Sequence, residues 1–159
     1  MLSFPTQTVS AGAVQVTGVL DPDDRVWLEG DPRPEAEGVR VSGRLSAAGP
    51  GRFYFSGTLG GFVTHECRRC LRDVKVTIDA ETHVLFADGS VVDEDDPDVF
   101  PLAQGRSGTE IDLRPAVRQE WLLEVPAFAV CRPECKGLCL KCGANLNQGP
   151  CTCARKSHE

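Results

Sequence analysis

Three features of the chain predict an α+β fold. Successive stretches alternate apolar and polar residues with a period of two, one segment carries helical apolar spacing, and eight cysteines gather into short-spaced groups. The alternation predicts an antiparallel β-sheet or small open barrel of about five strands, with one helix near 112–124 packed on it. The cysteines predict a C-terminal tail, 131–159, organised by bound metal, after a sheet-plus-helix domain at 1–130. At 159 residues, 41% of them hydrophobic and 25% charged, the chain is long enough for a real core.

In chain order, the first few residues look loose. Val14, Val16, Gly18 and Leu20 alternate with Gln15 and Thr17, which predicts a strand over about 12–20. Residues 21–38 are rich in Asp, Pro and Gly and read as a loop, with Trp27 as an anchor in the core or at its edge. Alternation resumes at 39–46 and 52–60 around the turn Ala-Ala-Gly-Pro-Gly, the signature of a hairpin. Phe62 to His65 runs on into Cys67-Arg-Arg-Cys70, and extended character returns from Val74 to Phe86. His83, set among β-formers, reads as a sheet residue.

Residues 87–108 read as a loop, whose stretch 88–98 carries six acids (Asp88, Asp93, Glu94, Asp95, Asp96, Asp98) and no base. Thr109 or Asp112 offers an N-cap, and Pro115 is tolerable only in a first turn, so the helix begins near 112. Leu113, Val117 and Trp121 make its apolar stripe, and it ends before Pro126.

Six of the eight cysteines (131, 135, 139, 142, 151 and 153) fall within 23 residues. Disulfides need an oxidising compartment. The N-terminal residues lack a basic region followed by an apolar one, so the cytoplasm is the expected location. No apolar run approaches the roughly 18 residues that span a membrane. A redox Cys-x-x-Cys opens a helix after a buried strand, and neither pair does so here. Metal ligation fits the spacing, and thiolates in fours select zinc, with iron second.

Cys67, Cys70, Cys131 and Cys135 could form one long-range site across 60 intervening residues, with Cys139, Cys142, Cys151 and Cys153 forming a local one. A single ion on Cys67, Cys70, Cys139 and Cys142 is the alternative, so one or two zinc ions are expected. A full thiolate set is structural, because catalytic zinc keeps an open position. His65-Glu-Cys lacks the His-x-Glu and Pro-Cys-x-x-Cys of a zinc deaminase. No catalytic constellation is visible, and no enzyme activity or small-molecule substrate is expected.

A net charge of −6 opposes wholesale attraction to nucleic acid. Its distribution is uneven. Residues 131–159 hold five bases (Arg132, Lys136, Lys141, Arg155, Lys156) against two acids, and Arg68, Arg69, Arg72 and Lys75 surround the first cysteine pair. The long-range metal site would bring these clusters together, with Arg68, Arg69, Arg72, Lys136 and Lys141 as candidate phosphate contacts.

The tail Cys-x3-Cys-Lys-Gly-Leu-Cys-x-x-Cys-Gly-x-Asn-Leu-Asn-x3-Cys-x-Cys resembles that of the YceD family, the large-ribosomal-RNA-subunit accumulation proteins of bacteria and plastids. So do Cys67-x-x-Cys70-Leu71 after a hairpin and the helix Ile111-Asp112-Leu113…Glu120…Leu122-Leu123…Pro126. The resemblance covers roughly residues 50–153. It implies a ribosome biogenesis factor supporting 23S rRNA accumulation, with precursor rRNA or a large-subunit protein as partner. It also implies that the long-range cysteine set is the one common to the family. The competing expectations are a zinc-stabilised module that chaperones a ribosomal protein without touching RNA, and a metal- or thiol-dependent enzyme.

Overall fold

The computed structural model describes residues 1–90, 96 and 98–153. Asp93, Glu94 and Asp95 of the acidic stretch, and Arg155, Lys156 and His158 of the tail, lie outside the described residues. The elements are β1 (Ser3–Pro5), α1 (Thr6–Ala11), β2 (Val14–Leu20), β3 (Val39–Ala47), β4 (Arg52–Glu66), β5 (Asp73–Ala87), β6 (Val99–Pro101), β7 (Ala103–Gly105), β8 (Gly108–Asp112) and α2 (Arg114–Glu124). They make the expected α+β arrangement: an open five-stranded sheet in the order β2-β3-β4-β5-β6, a three-stranded sheet β1-β8-β7, and one main helix. No helix among the described residues is long and apolar enough to cross a membrane.

The chain forms two compact units. The first is Met1–Val63 with Thr77–Val125, and the second is Thr64–Val76 with the described part of Pro126–Glu159.

The period-two alternation sets the large sheet of the first unit. Val16, Leu20, Val39, Val41, Leu45, Phe55 and Leu59 are buried, whereas Gln15, Arg40, Ser42 and Thr58 between them are exposed. β2 and β3 pair antiparallel from Val14↔Leu45 to Leu20↔Val39, and β3 pairs with β4 from Ala47↔Phe53 to Arg40↔Gly60. At Gly43↔Gly57 the two backbones approach closely. A Cβ on Gly57 would collide with the Ser42 carbonyl oxygen and lie 2.8 Å from both Gly43 Cα and the Phe55 ring. Gly57→Ala is therefore expected to cost about 1–3 kcal/mol by overpacking. Urea unfolding measures this, with Gly12→Ala, which faces open space, as a near-neutral control.

Helix α2 carries Ala116, Val117 and Trp121 on its buried face. The loop 21–38 lies against it through polar contacts. The Trp121 indole N–H donates to the Pro32 carbonyl at 2.7 Å, and Arg118 holds Asp31 through two bonds of 2.7 and 2.9 Å. That guanidinium keeps the Asp31 carboxyl below its usual range. Trp27 is buried and donates to the Asp21 carbonyl at 2.8 Å, as expected of an anchor.

Several local expectations are corrected. The N-terminal residues are ordered: Leu2 and Val9 are buried, and β1 pairs with β8 through Phe4↔Ile111. Part of 87–108 is strand, since Leu85↔Val99 starts a parallel pairing of β5 with β6, and Phe86 packs 5.8 Å from Phe100. The sheet is thus not wholly antiparallel. Neither Thr109 nor Asp112 is the N-cap of α2. Thr109 pairs with Gln104 in the small sheet, Leu113 occupies the cap, and Asp112 instead accepts the Arg114 N–H at 3.0 Å. Pro115 sits in the first turn, where its missing N–H has no helical partner to lose.

Candidate metal centres

The second unit is built from two tight cysteine turns and the loops that return to them. After β4 the chain turns at Cys67–Cys70, closed by Leu71 N–H to the Cys67 carbonyl at 2.8 Å and Cys67 N–H to the Arg72 carbonyl at 2.7 Å. Leu71 follows the second cysteine with φ +61°, and Gly143 holds the same place in the other turn with φ +74°. The segment after α2 lies alongside the first turn through a parallel bridge, Cys67↔Ala129, and Arg68 N–H donates to the Ala129 carbonyl at 2.9 Å. That pairing delivers Cys131 and Cys135 to Cys67 and Cys70.

The eight Sγ atoms form two tetrads, Cys67/Cys70/Cys131/Cys135 and Cys139/Cys142/Cys151/Cys153, each with its sulfurs within 4.8 Å of one another. This is the same division as the long-range and local sets; Cys67 and Cys70 are not grouped with Cys139 and Cys142. All eight thiols are free. In the first tetrad Cys67 and Cys135 are 3.8 Å apart, and Cys70 and Cys131 are 3.7 Å apart. A disulfide needs about 2.05 Å. Four thiolates about 2.3 Å from one tetrahedral ion would stand roughly 3.8 Å apart, so the spacing fits a metal of zinc's size.

The protonation tendencies fit the same chemistry. Burial opposes ionisation of Cys67, but N–H groups of Cys131, Cys70 and Arg69 outweigh it and bring the thiol down to about 6; the Cys131 N–H stands 3.3 Å from the sulfur. Cys131 itself is pushed up to about 12 by burial and by its neighbouring thiols. In the second tetrad the N–H groups of Cys142 and Lys141 bring Cys139 down to about 6, while Cys142 and burial push Cys153 up to about 12. Four crowded thiols cannot all ionise alone, and a divalent cation removes that restriction. The two tetrads differ in exposure: Cys67, Cys70 and Cys135 are buried, whereas Cys142 is exposed and its three companions are half-buried.

Asn147 carries no functional signal in the sequence beyond its place in the Asn-Leu-Asn motif. It sits in a short 3-10 turn, Leu146–Gln148, capped by Asn145. Its Oδ1 accepts the Lys136 N–H at 2.9 Å and the Arg132 guanidinium at 3.0 Å. Both partners are obligate donors, so the amide is oriented with Nδ2 facing the Cys135 sulfur at 3.4 Å. This bond is the first cause of a lowered Cys135 pKa.

Among the candidate phosphate contacts, Arg68, Arg72, Lys136 and Lys141 are exposed. Arg68 lies over the Phe128 ring, 4.4 Å from its centroid. Arg69 is also exposed but is engaged inside the unit. Its guanidinium donates to the Pro133 and Cys135 carbonyls at 3.1 and 3.2 Å, and its own carbonyl accepts the Leu138 N–H. His83 bonds the Tyr54 hydroxyl at 2.9 Å and joins neither tetrad, and His65 is likewise outside both.

A family model described as "Large ribosomal RNA subunit accumulation protein YceD" matches residues 55–159. The chain is 49% identical over 63 residues to "Large ribosomal RNA subunit accumulation protein YCED homolog 1, chloroplastic" of Zea mays, covering 39% of this chain and 20% of that one. The Arabidopsis thaliana protein of the same name is 46% identical over 50 residues, 31% of this chain and 16% of its own. The match thus spans a fifth or less of these plastid relatives. An uncharacterized protein of Mycobacterium tuberculosis is 34% identical over 130 residues, 80% of this chain and 56% of the relative. No solved structure matches the chain.

Proposed function

The chain belongs to the YceD family of large ribosomal RNA subunit accumulation proteins, and on that premise we propose that it supports large-subunit assembly as a non-enzymatic factor whose cysteine-rich unit binds precursor 23S rRNA. The supporting observation is the placement of Arg68, Arg72, Lys136 and Lys141 as exposed side chains on the scaffold that carries both thiol tetrads. Zinc is the metal best matched to four thiolates, and its contribution is to hold that scaffold. Such a closed thiolate shell leaves no position for a reactive water, which favours binding over catalysis. The cytoplasm is the compartment this reading requires.

Charge decides what kind of contact is proposed. The described residues of this unit hold seven bases (Arg68, Arg69, Arg72, Lys75, Arg132, Lys136, Lys141) and three acids (Glu66, Asp73, Glu134), a balance of +4. Two divalent ions on eight thiolates would bring −4. The unit as a whole is then near neutral, so a strong long-range field is not the basis of binding. Instead, individual basic side chains would meet phosphates at short range, and the salt dependence would be shallow. Arg68→Glu with Arg72→Glu is expected to weaken RNA binding and to flatten the log-log salt slope by about 0.7 for each single-strand phosphate that is no longer neutralised. Unchanged affinity and slope would reject this surface.

A second reading, a protein partner without RNA contact, is favoured by three exposed apolar side chains on the same unit. Leu71 is 58% exposed, Phe128 66% and Leu140 fully. Crosslinking of the tagged protein in growing cells separates the two readings. Enrichment of defined 23S segments supports RNA contact, whereas recovery of one ribosomal protein with RNA at background supports the second reading.

A further inference from the structure

We propose that the two thiol tetrads form a coupled pair of metal sites, with Asn147 as the positioning residue through which the second site strengthens the first. This rests on the reading of both tetrads as metal sites. Asn147 lies in the loop between Cys142 and Cys151, so closure of the second tetrad around an ion fixes both ends of the segment that carries it. Among the described residues its side chain bonds the Cys135 sulfur through Nδ2, and Lys136 and Arg132, which adjoin the first tetrad's cysteines, through Oδ1. The loop is also tied to the strip joining the two sites, through the Leu146 N–H to the Gly137 carbonyl at 2.9 Å and the Leu138↔Asn145 bridge. Ordering the second loop therefore places a donor on a ligand of the first.

Such a donor matters because Cys135 is buried. A buried thiolate has lost its hydration, and an amide N–H on the sulfur offsets part of that loss without competing for the metal. Hydrogen-bond partners of metal ligands typically govern 10–100-fold in metal affinity. Linkage makes the effect reciprocal, so an ion in the first tetrad raises affinity at the second by the same factor. The second tetrad then acts as more than an appendage, because its occupancy sets how firmly the first holds its ion.

The test uses the whole chain, stripped of metal under reducing conditions and reloaded with Co2+ alone. Thiolate-to-cobalt charge transfer reports loading, and transfer to a chelator reports the lifetime of each site. Cys142→Ser with Cys151→Ser removes the second tetrad and identifies the release phase of the first. That phase is expected to become about 10–100-fold faster than in the intact chain. In an Asn147→Ala background the same phase should already be fast, and the two Ser substitutions should accelerate it little further. Asn147→Asp keeps the acceptor but sets a carboxylate against the thiolate, and it should release the first-site ion at least as fast as Asn147→Ala. The coupling is overturned if the Ser pair leaves first-site release unchanged, or accelerates it equally with and without Asn147. Loading of fewer than two equivalents by the intact chain would instead bring down the metal reading itself.

Discussion

Removing metal from the intact chain is expected to unfold Thr64–Val76 and Pro126–Cys153 while the strands of the first unit keep their protection from hydrogen exchange. The reason is the composition of the second unit's core. Its buried cluster is Cys67, Cys70 and Cys135, with Val74, Val130, Cys131 and Leu138 only partly buried against it, and Ala129 is a further small buried residue. At about forty residues a chain segment cannot bury enough apolar surface to hold itself, and disulfides, metals or association must supply the rest. All eight cysteines are free, which removes disulfides, and the two thiol tetrads offer metal as the remaining support within the unit. Binding of structural zinc contributes about 10–16 kcal/mol in small metal-folded peptides, comparable to the whole stability of an ordinary domain. The first unit, by contrast, has its own core around Phe55, Phe86, Ile111 and Trp121. Amide exchange read by mass spectrometry on the loaded and stripped chain checks this. Retained protection across 126–153 after stripping would mean that the thiols pack adequately as thiols. Cys135→Ser should reproduce the effect of the chelator in the second unit.

The second large effect is expected at Trp121, whose replacement by Ala should destabilise the first unit by about 3–5 kcal/mol, the usual cost of deleting a buried large aromatic side chain. The residue is fully buried, and its ring fills the space left by Gly61, where a Cβ would stand 3.1 Å from the indole. Its N–H donates to the Pro32 carbonyl at 2.7 Å, and losing that bond adds to the cost. Trp121→Phe separates the two contributions, because it keeps most of the packing and loses the hydrogen bond. Leu123, two residues along the same helix, is 71% exposed, and Leu123→Ala should fall within about 0.5 kcal/mol of the parent. Equal effects of the Trp121 and Leu123 substitutions on urea unfolding would show that Trp121 is not what anchors α2 in the core.

Much of the fold was legible because its signals are local. β2 to β5 were readable from the period-two alternation, and α2 from the spacing of Leu113, Val117 and Trp121. β1 was not, because three residues with no alternation become a strand only when Phe4 finds Ile111 on the edge of β8. The short strand β6 was missed for the same reason: Val99 and Phe100 extend because β5 offers unpaired backbone and Phe86 offers a ring. Thr109, a good cap by type, does not cap α2 because it is drawn into β8 opposite Gln104, where its carbonyl accepts the Thr6 hydroxyl at 3.1 Å.

The thiols divide along the same line. Their number, type and close spacing belong to the chain alone and dictate a chemistry of soft ligands in sets of four, because two cysteines two residues apart can face one ion from a single turn. Which four come together does not follow from spacing, since 60 residues separate Cys70 from Cys131. It depends on the pairing of Cys67 with Ala129, which sets the returning segment beside the first turn. The roles of individual side chains depend on the fold in the same way. Arg68 and Arg69 are adjacent and alike in sequence, yet one lies over the exposed Phe128 ring and the other donates to the Pro133 and Cys135 carbonyls. Asn147 faces the Cys135 sulfur only because Lys136 and Arg132 hold its oxygen. Residue types set which bonds each group is able to make, and the packing of distant segments sets which of them are made.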